Sequence, residues 1–131
     1  MIIKLDFQSE IPIYQQLYQE IVKGIATKTL LPGDPLPSVR VLSSDLGINL
    51  HTVNKTYNLL KQEGYLQVHR QKGVEINPDG MPGLTPDFNN KLDENLRPVI
   101  AEAMVRGMTK DQFLTLCNTI FNDYEQTGGD K

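Results

Sequence analysis

The polar side chains around one glycine, Gly47, are of the types that bond the edges of nucleic-acid bases. Asparagine and arginine can make paired hydrogen bonds to adenine and guanine, and lysine or the start of a helix can hold a phosphate. The methyl groups of threonine and leucine can meet the methyl group of thymine. We therefore expect DNA contacts from Ser38, Arg40, Asn49, Leu50, His51, Thr52, Asn54 and Lys55, and from Arg70, Gln71, Lys72 and Gly73.

A short helix is predicted before Gly47. Ser38 stands directly before the stretch 39–46, and a hydroxyl there can accept a hydrogen bond from the exposed N–H groups of the first turn. Gly47 can take the positive φ that ends such a helix. The residues that this helix is expected to bury are Val39, Leu42 and Leu46.

A second helix, predicted over 50–63, presents the polar residues. Asn49 is its N-cap and Gly64 ends it. Its core-facing residues are Val53, Tyr57 or Thr56, and Leu60. Its opposite face, the candidate reading surface, carries His51, Thr52, Asn54, Lys55 and Asn58.

A basic hairpin follows the second helix. The stretches 65–69 and 73–77 alternate as strands do, about a tip formed by Arg70, Gln71 and Lys72. Two helices around a turn, followed by a hairpin, have the layout of a winged helix-turn-helix. In that layout the second helix fits a DNA major groove and the hairpin reaches the backbone or the minor groove. The predicted class is therefore α+β, a winged helix-turn-helix domain with a short two-helix tail.

A further helix is predicted ahead of these elements, over 11–28. Pro12 fits its first turn, where a missing N–H costs nothing. The next stretch, 30–37, holds three prolines and a glycine and must be extended or turning. The core stripe of this helix is expected to be Tyr14, Leu17, Ile21 and Ile25, widened by Tyr18 and Val22.

A linker separates this part from the tail. The stretch 77–86 contains three prolines and two glycines. We therefore expect a DNA-binding domain at 1–77, a linker at 78–87 and a helical dimerisation segment at 88–125.

Two amphipathic helices are predicted in the tail. The first covers 88–106 and should kink or restart at Pro98. Thr109 and Gln112 form a capping box that opens the second. Such a pair cannot make a core alone, so we expect the helices to bury each other's stripe against the same pair of a second chain. The end, 127–131, is expected to fray. The predicted dimer contacts are Leu92, Leu96, Ile100, Phe113, Leu116 and Ile120.

Charge and composition narrow the class of protein. The net charge is −3, yet residues 1–75 carry eight Lys and Arg against seven Asp and Glu, and residues 76–131 carry five against nine. A positive face is therefore possible in the first part. The apolar runs are too short to span a membrane, and Lys4 and Asp6 interrupt any signal peptide. We expect a soluble, cytoplasmic chain without membrane contact.

Few residues suggest other chemistry. Cys117 is the one cysteine and is expected to be a small apolar packing residue, while His51 and His69 lack a third metal ligand at suitable spacing. No catalytic grouping is visible. We expect no enzyme, no cofactor and no metal, and the residues identify no small-molecule effector. A winged helix used only for protein contacts is the alternative, but it would carry an apolar reading face.

Three motifs resemble the GntR family of bacterial transcription regulators, namely PGDPLPSVR, LGINLHTVNKTYNLLKQEGYL and HRQKG. The short tail resembles the YtrA subfamily. This resemblance implies a homodimeric DNA-binding repressor, commonly of its own operon together with ABC-transporter genes, bound to a double-stranded operator.

The same resemblance implies roles for single residues. Arg40 would lie near the groove and contact a base or phosphate, with further contacts from 49–52, Asn54 and Lys55. The wing tip would reach the minor groove. The chain has Leu50 where many relatives carry arginine, and Gln71 where many carry glycine.

Overall fold

The computed structural model describes residues 3–71 and 73–129. The chain divides into two units, residues 1–82 and 83–131. The fold class is α+β, as the sequence predicted. The elements are α1 (Ile13–Ala26), α2 (Val39–Leu46), α3 (Leu50–Gln62), β1 (Leu66–His69), β2 (Gly73–Ile76), α4 (Pro86–Val105) and α5 (Lys110–Gly129).

The core of the N-terminal unit lies between α1 and α3. Leu17 and Ile21 of α1 and Val53 and Leu60 of α3 are fully buried, because they recur at helical spacing on the facing sides. Ile76 of β2 closes the same core. Its other buried apolar residues are Leu30, Leu36, Leu42, Tyr57 and Leu66.

Helix α1 is shorter than predicted at both ends. Pro12 has a ψ of 147° and is the N-cap residue, so it lies outside the helix rather than in its first turn. At the other end Lys28 has a φ of 63°, a left-handed conformation that no right-handed helix continues through. The helix therefore ends at Ala26, and Tyr14 and Ile25 at its two ends are only half-buried.

The predicted helix over 39–46 is confirmed, with one difference in its packing. Leu42 is buried as expected, whereas Val39 and Leu46 are half-buried. Ser43 is buried, and its hydroxyl donates to the Arg40 carbonyl at 3.0 Å, which satisfies its polar group inside the helix.

The wing is an antiparallel pair of strands in which Leu66 faces Ile76 and His69 faces Gly73. The preceding extended segment adds to its edge. The N–H of Gly33 donates to the Ile76 carbonyl at 2.8 Å, and the N–H of Leu36 donates to the Val74 carbonyl at 2.8 Å. These bonds fix the segment before α2 to the wing.

The C-terminal unit differs from the prediction in three ways. Helix α4 begins at Pro86, because Thr85 caps it by accepting from the Phe88 N–H at 3.1 Å, and it continues through Pro98 without restarting. Helix α5 continues to Gly129, so the predicted frayed end is helical as far as the description reaches. Within the described residues α4 and α5 do not pack along each other, so they do not bury each other's stripe in one chain.

Candidate nucleic-acid interface

Two side-chain caps set the geometry of the helix-turn-helix. The Ser38 hydroxyl accepts from the Val41 N–H at 3.1 Å, and Asn49 Oδ1 accepts from the His51 N–H at 2.7 Å. Between them Gly47 has a φ of 67°, which lets α2 stop and α3 begin in a new direction. The Asn49 oxygen is thus engaged in capping, which leaves its amide N–H groups for other partners.

The inner face of α3 also fixes the start of α2. The Tyr57 hydroxyl donates to the Pro37 carbonyl at 2.8 Å, directly before the Ser38 cap. Burial raises the pKa of the Tyr57 phenol well above its ordinary value. A neutral phenol in the middle of α3 therefore holds the segment that leads into α2.

The polar face of α3 is open to solvent. His51, Asn54 and Lys55 are exposed, and Leu50 at the helix start is 43% exposed. Thr52 is half-buried. The structure thus places the predicted residues of α3 on its outer side, with less of Thr52 accessible than of its neighbours.

Arg40 is exposed on α2. It forms no ion pair with Asp45 or Glu63, since the salt bridges of the described residues lie in α4. Its guanidinium keeps its full set of donors for another partner.

The wing tip follows the predicted layout. Arg70 and Gln71 are exposed, and the Gln71 N–H donates to Nδ1 of His69 at 3.3 Å. Gly73 returns the chain into β2 with a φ of 75°. Lys72, a predicted contact, lies outside the described residues.

One contact at this surface was not predicted from the sequence. The Lys55 ammonium lies 3.8 Å from the centre of the Tyr14 ring. Sequence reasoning assigned Tyr14 to the core and Lys55 to the surface, and no local spacing links residues so far apart in the chain. Only the packing of α1 against α3 brings them together.

Five of the six predicted dimer residues are exposed in the single chain, whereas Phe113 is half-buried. Leu116 and Ile120 of α5 are 48% and 45% exposed. Leu92, Leu96 and Ile100 of α4 are each about two-fifths exposed, at 43%, 39% and 39%. Neighbouring residues outside the six predicted dimer contacts extend this apolar surface. The exposed apolar residues beyond the predicted set include Val99, Met104, Leu114 and Phe121.

Neither a metal-binding cluster nor a membrane-spanning helix occurs in the described part of the chain. No group of three or more metal-ligating side chains comes together there. None of its helices combines the length and apolar character that crossing a membrane requires.

The sequence profile of the bacterial regulatory proteins of the gntR family matches residues 13–76. The chain is also similar to the HTH-type transcriptional repressor YtrA of Bacillus subtilis, at 32% identity over 106 residues, which cover 81% of this chain and 82% of that protein. This chain belongs to the GntR family.

Solved structures agree with that assignment. YtrA from Sulfolobus acidocaldarius, a GntR-family transcription factor, is 38% identical, with a TM-score of 0.63, and the match covers 77% of this chain and 99% of that one. A transcriptional antiterminator from Listeria monocytogenes EGD-e shares the fold, with a TM-score of 0.87 at 22% identity over 95% of this chain and 92% of that one. This GntR-family member is a DNA-binding transcription regulator and not an enzyme.

Proposed function

We propose that this GntR-family regulator is a dimeric repressor whose α3 enters the major groove of a two-fold symmetric operator. The open polar face of α3, with His51, Asn54 and Lys55 exposed, carries the proposal. A helix of this kind can insert its N-terminal half among base edges. Arg40, exposed on α2 and unpaired by any carboxylate of the described residues, offers further donors.

The proposed DNA contacts divide into residues that read bases, the readers, and residues that bind the phosphate backbone, the holders. Arg40 and Asn54 suit base edges, and the methyl groups of Leu50 and Thr52 suit the thymine methyl. Residues that hold the DNA phosphate backbone need a positive charge or a free O–H or N–H donor. Within the proposed interface, the holders are Ser38, Lys55, Arg70, Gln71, Lys72 and Gly73, with Asn49 and His51 at the boundary between the two groups.

We propose that the C-terminal unit joins two chains. Its apolar stripes are exposed in the single chain and the two helices do not cover each other, so a second copy is the partner that would hide them. The proposed contacts are Leu92, Leu96, Ile100, Phe113, Leu116 and Ile120.

The proposed targets are its own operon and ABC-transporter genes. The resemblance to the YtrA subfamily supports this, as does the similar Bacillus protein, which is named a repressor. A regulator of this kind would act in the cytoplasm, where bacterial DNA lies. Deleting the gene should raise the transcripts of the neighbouring operon, and a fall would indicate an activator instead.

The reading surface can be tested by binding to the DNA upstream of the gene. Arg40→Ala should weaken binding to this fragment by about 1 to 3 kcal/mol, because a paired hydrogen bond to a base is lost. Lys23→Ala is the matched control: it removes one exposed positive charge from α1, outside the proposed DNA and dimer contacts. Equal binding by Arg40→Ala and wild type would show that α2 does not face the groove.

A further inference from the structure

Lys55 is held by an aromatic ring and not by a carboxylate. Its Nζ atom lies 3.8 Å from the centre of the half-buried Tyr14 ring, within the range where a cation is attracted to the negative face of a ring. No acidic side chain in the described ranges forms an ion pair with Lys55. The ring is therefore the group that restrains this ammonium.

The ring is itself fixed to the helix that carries the lysine. Thr56 is fully buried, and its single O–H lies within donating distance of two carbonyls, that of Tyr14 in α1 at 3.0 Å and that of Thr52 in its own helix at 3.1 Å. Since Thr56 directly follows Lys55 in α3, the bond to Tyr14 joins the backbone of Tyr14 to the same turn. Tyr14 and Lys55 therefore form one structural unit across two helices.

A lysine held in this way is prepared for a phosphate. An ammonium has three N–H donors, and a ring face occupies only one side of it. A free lysine loses rotamer freedom when it binds, whereas a restrained lysine has already lost part of it. As a compact point charge it matches a phosphate better than the directional edge of a base.

We propose that Tyr14 is a positioning residue for DNA binding, whose ring holds the Lys55 ammonium where it meets a backbone phosphate. Lys55 then orients α3 on the duplex and reads no base. The inference rests on the proposed function, because it requires α3 to lie against DNA.

The experiment compares Tyr14→Leu, Tyr14→Phe, Lys55→Ala and the double variant Tyr14→Leu/Lys55→Ala. Each is titrated with salt on the DNA fragment upstream of the gene and on a random-sequence duplex of equal length. Tyr14→Leu should lower affinity about two- to fivefold on both duplexes, the size of an exposed cation–ring contact. Tyr14→Phe keeps the ring and should recover most of that loss.

The lysine variants show whether Tyr14 acts through Lys55. Lys55→Ala should make the slope of log affinity against log salt shallower by about 0.9, the value for one phosphate contact. In that background Tyr14→Leu should lower affinity no further. Tyr18→Leu is the matched control, since Tyr18 lies one turn along α1 and packs edge-on against Tyr65 instead.

Three results would overturn the inference. The loss in Tyr14→Leu could persist without Lys55, Tyr14→Phe could lose as much as Tyr14→Leu, or Lys55→Ala could leave the salt slope unchanged while wild type binds both duplexes. Wild type that binds neither duplex at low salt would instead refute the proposed function, and the inference would fall with it. Thermal unfolding of each variant confirms that the fold is kept.

Discussion

The two units of this chain differ in the burial of their apolar side chains. In the N-terminal unit Leu17, Ile21 and Leu60 are completely buried among α1, α3 and the wing. In the C-terminal unit α4 buries none of its residues, and Phe121 of α5 is 68% exposed. Because apolar burial is the main favourable term in folding, the first unit is stabilised by its own chain. We infer that the second depends on another surface.

The same contrast appears in how the helices are held. Helix α3 is tied to α1 by the Thr56 bond to the Tyr14 carbonyl, and to the start of α2 by the Tyr57 bond to the Pro37 carbonyl. Helices α4 and α5 each carry a side-chain cap, and α4 carries two exposed ion pairs, all of them local to one helix. Local contacts shape a helix, but only contacts between elements make a cooperative unit.

The largest effect is expected from removing the second unit. A chain that ends at Pro82 should remain folded, since its core is complete, but it should be monomeric. Its affinity for the fragment upstream of the gene should fall by about 100-fold or more, because a monomer engages one half-site. Light scattering and DNA titration measure the two changes. A truncated chain whose light scattering still gives the mass of a dimer would locate the interface in the N-terminal unit.

A matched pair of leucines should separate the two kinds of stability. Leu60→Ala, in the core, should lower the free energy of unfolding by about 2 to 5 kcal/mol at any protein concentration. Leu96→Ala, on the exposed stripe of α4, should leave the free energy of unfolding of the N-terminal unit unchanged within about 0.5 kcal/mol and instead raise the dissociation constant of the dimer. Urea unfolding at two protein concentrations distinguishes them. Concentration-independent loss in both variants would contradict the contrast.

The side-chain caps of α3 and α5 allow a matched comparison between the units, with a smaller expected effect. Asn49→Ala should cost about 1 kcal/mol of the N-terminal unit's stability and also weaken DNA binding, because the cap orients α3. Thr109→Ala, which breaks the capping box of α5, should cost about 1 kcal/mol that appears only in the dimer's concentration-dependent transition. Asn49→Ser replaces the amide oxygen by a hydroxyl acceptor, Thr109→Ser keeps the hydroxyl, and both serve as controls. A Thr109→Ala variant with reduced DNA affinity but an unchanged dimer would argue against this separation.

Sequence reasoning succeeded where an interaction spans only a few residues. The caps at Ser38 and Asn49, the turn at Gly47 and the capping box of Thr109 with Gln112 are confirmed, because each is complete within one helical turn. The early start of α4 was missed although Thr85 and Pro86 carry the signal, since the proline was counted with the linker. Which of the candidate contacts touch DNA stays a prediction.

Contacts between distant segments could not be read from spacing. The Lys55 ammonium over Tyr14 and the Tyr57 bond to Pro37 depend on how α1, α2 and α3 pack, which no local pattern encodes. The packing expected between α4 and α5 does not occur within one chain, and burial of their stripes against a second chain stays a prediction. Amphipathic faces indicate that a helix needs a partner, but they do not identify it.

The smallest expected effect is a loss of stability in alkali that belongs to the N-terminal unit alone. Burial, then the neighbouring Tyr65 phenol and Glu63 carboxylate, raise the pKa of Tyr18 from 10.0 to about 12. A pKa that is higher in the folded state favours the neutral phenol there, so this stability is fully present below pH 10 and is lost as pH rises towards 12. Tyr18→Phe should flatten the fall in melting temperature across that window. In the C-terminal unit the hydrogen bond from Arg97 lowers the pKa of Asp93. That shift would affect stability at acid pH and not at alkaline pH, and the Arg97–Asp93 pair is exposed. If the fall in melting temperature at alkaline pH is unchanged in Tyr18→Phe but smaller in Tyr57→Phe, the effect belongs to the more deeply buried phenol of Tyr57, whose hydroxyl donates to the Pro37 carbonyl. The difference between the two units would then still hold. A fall in melting temperature that is the same in both variants as in wild type would mean that neither tyrosine causes it.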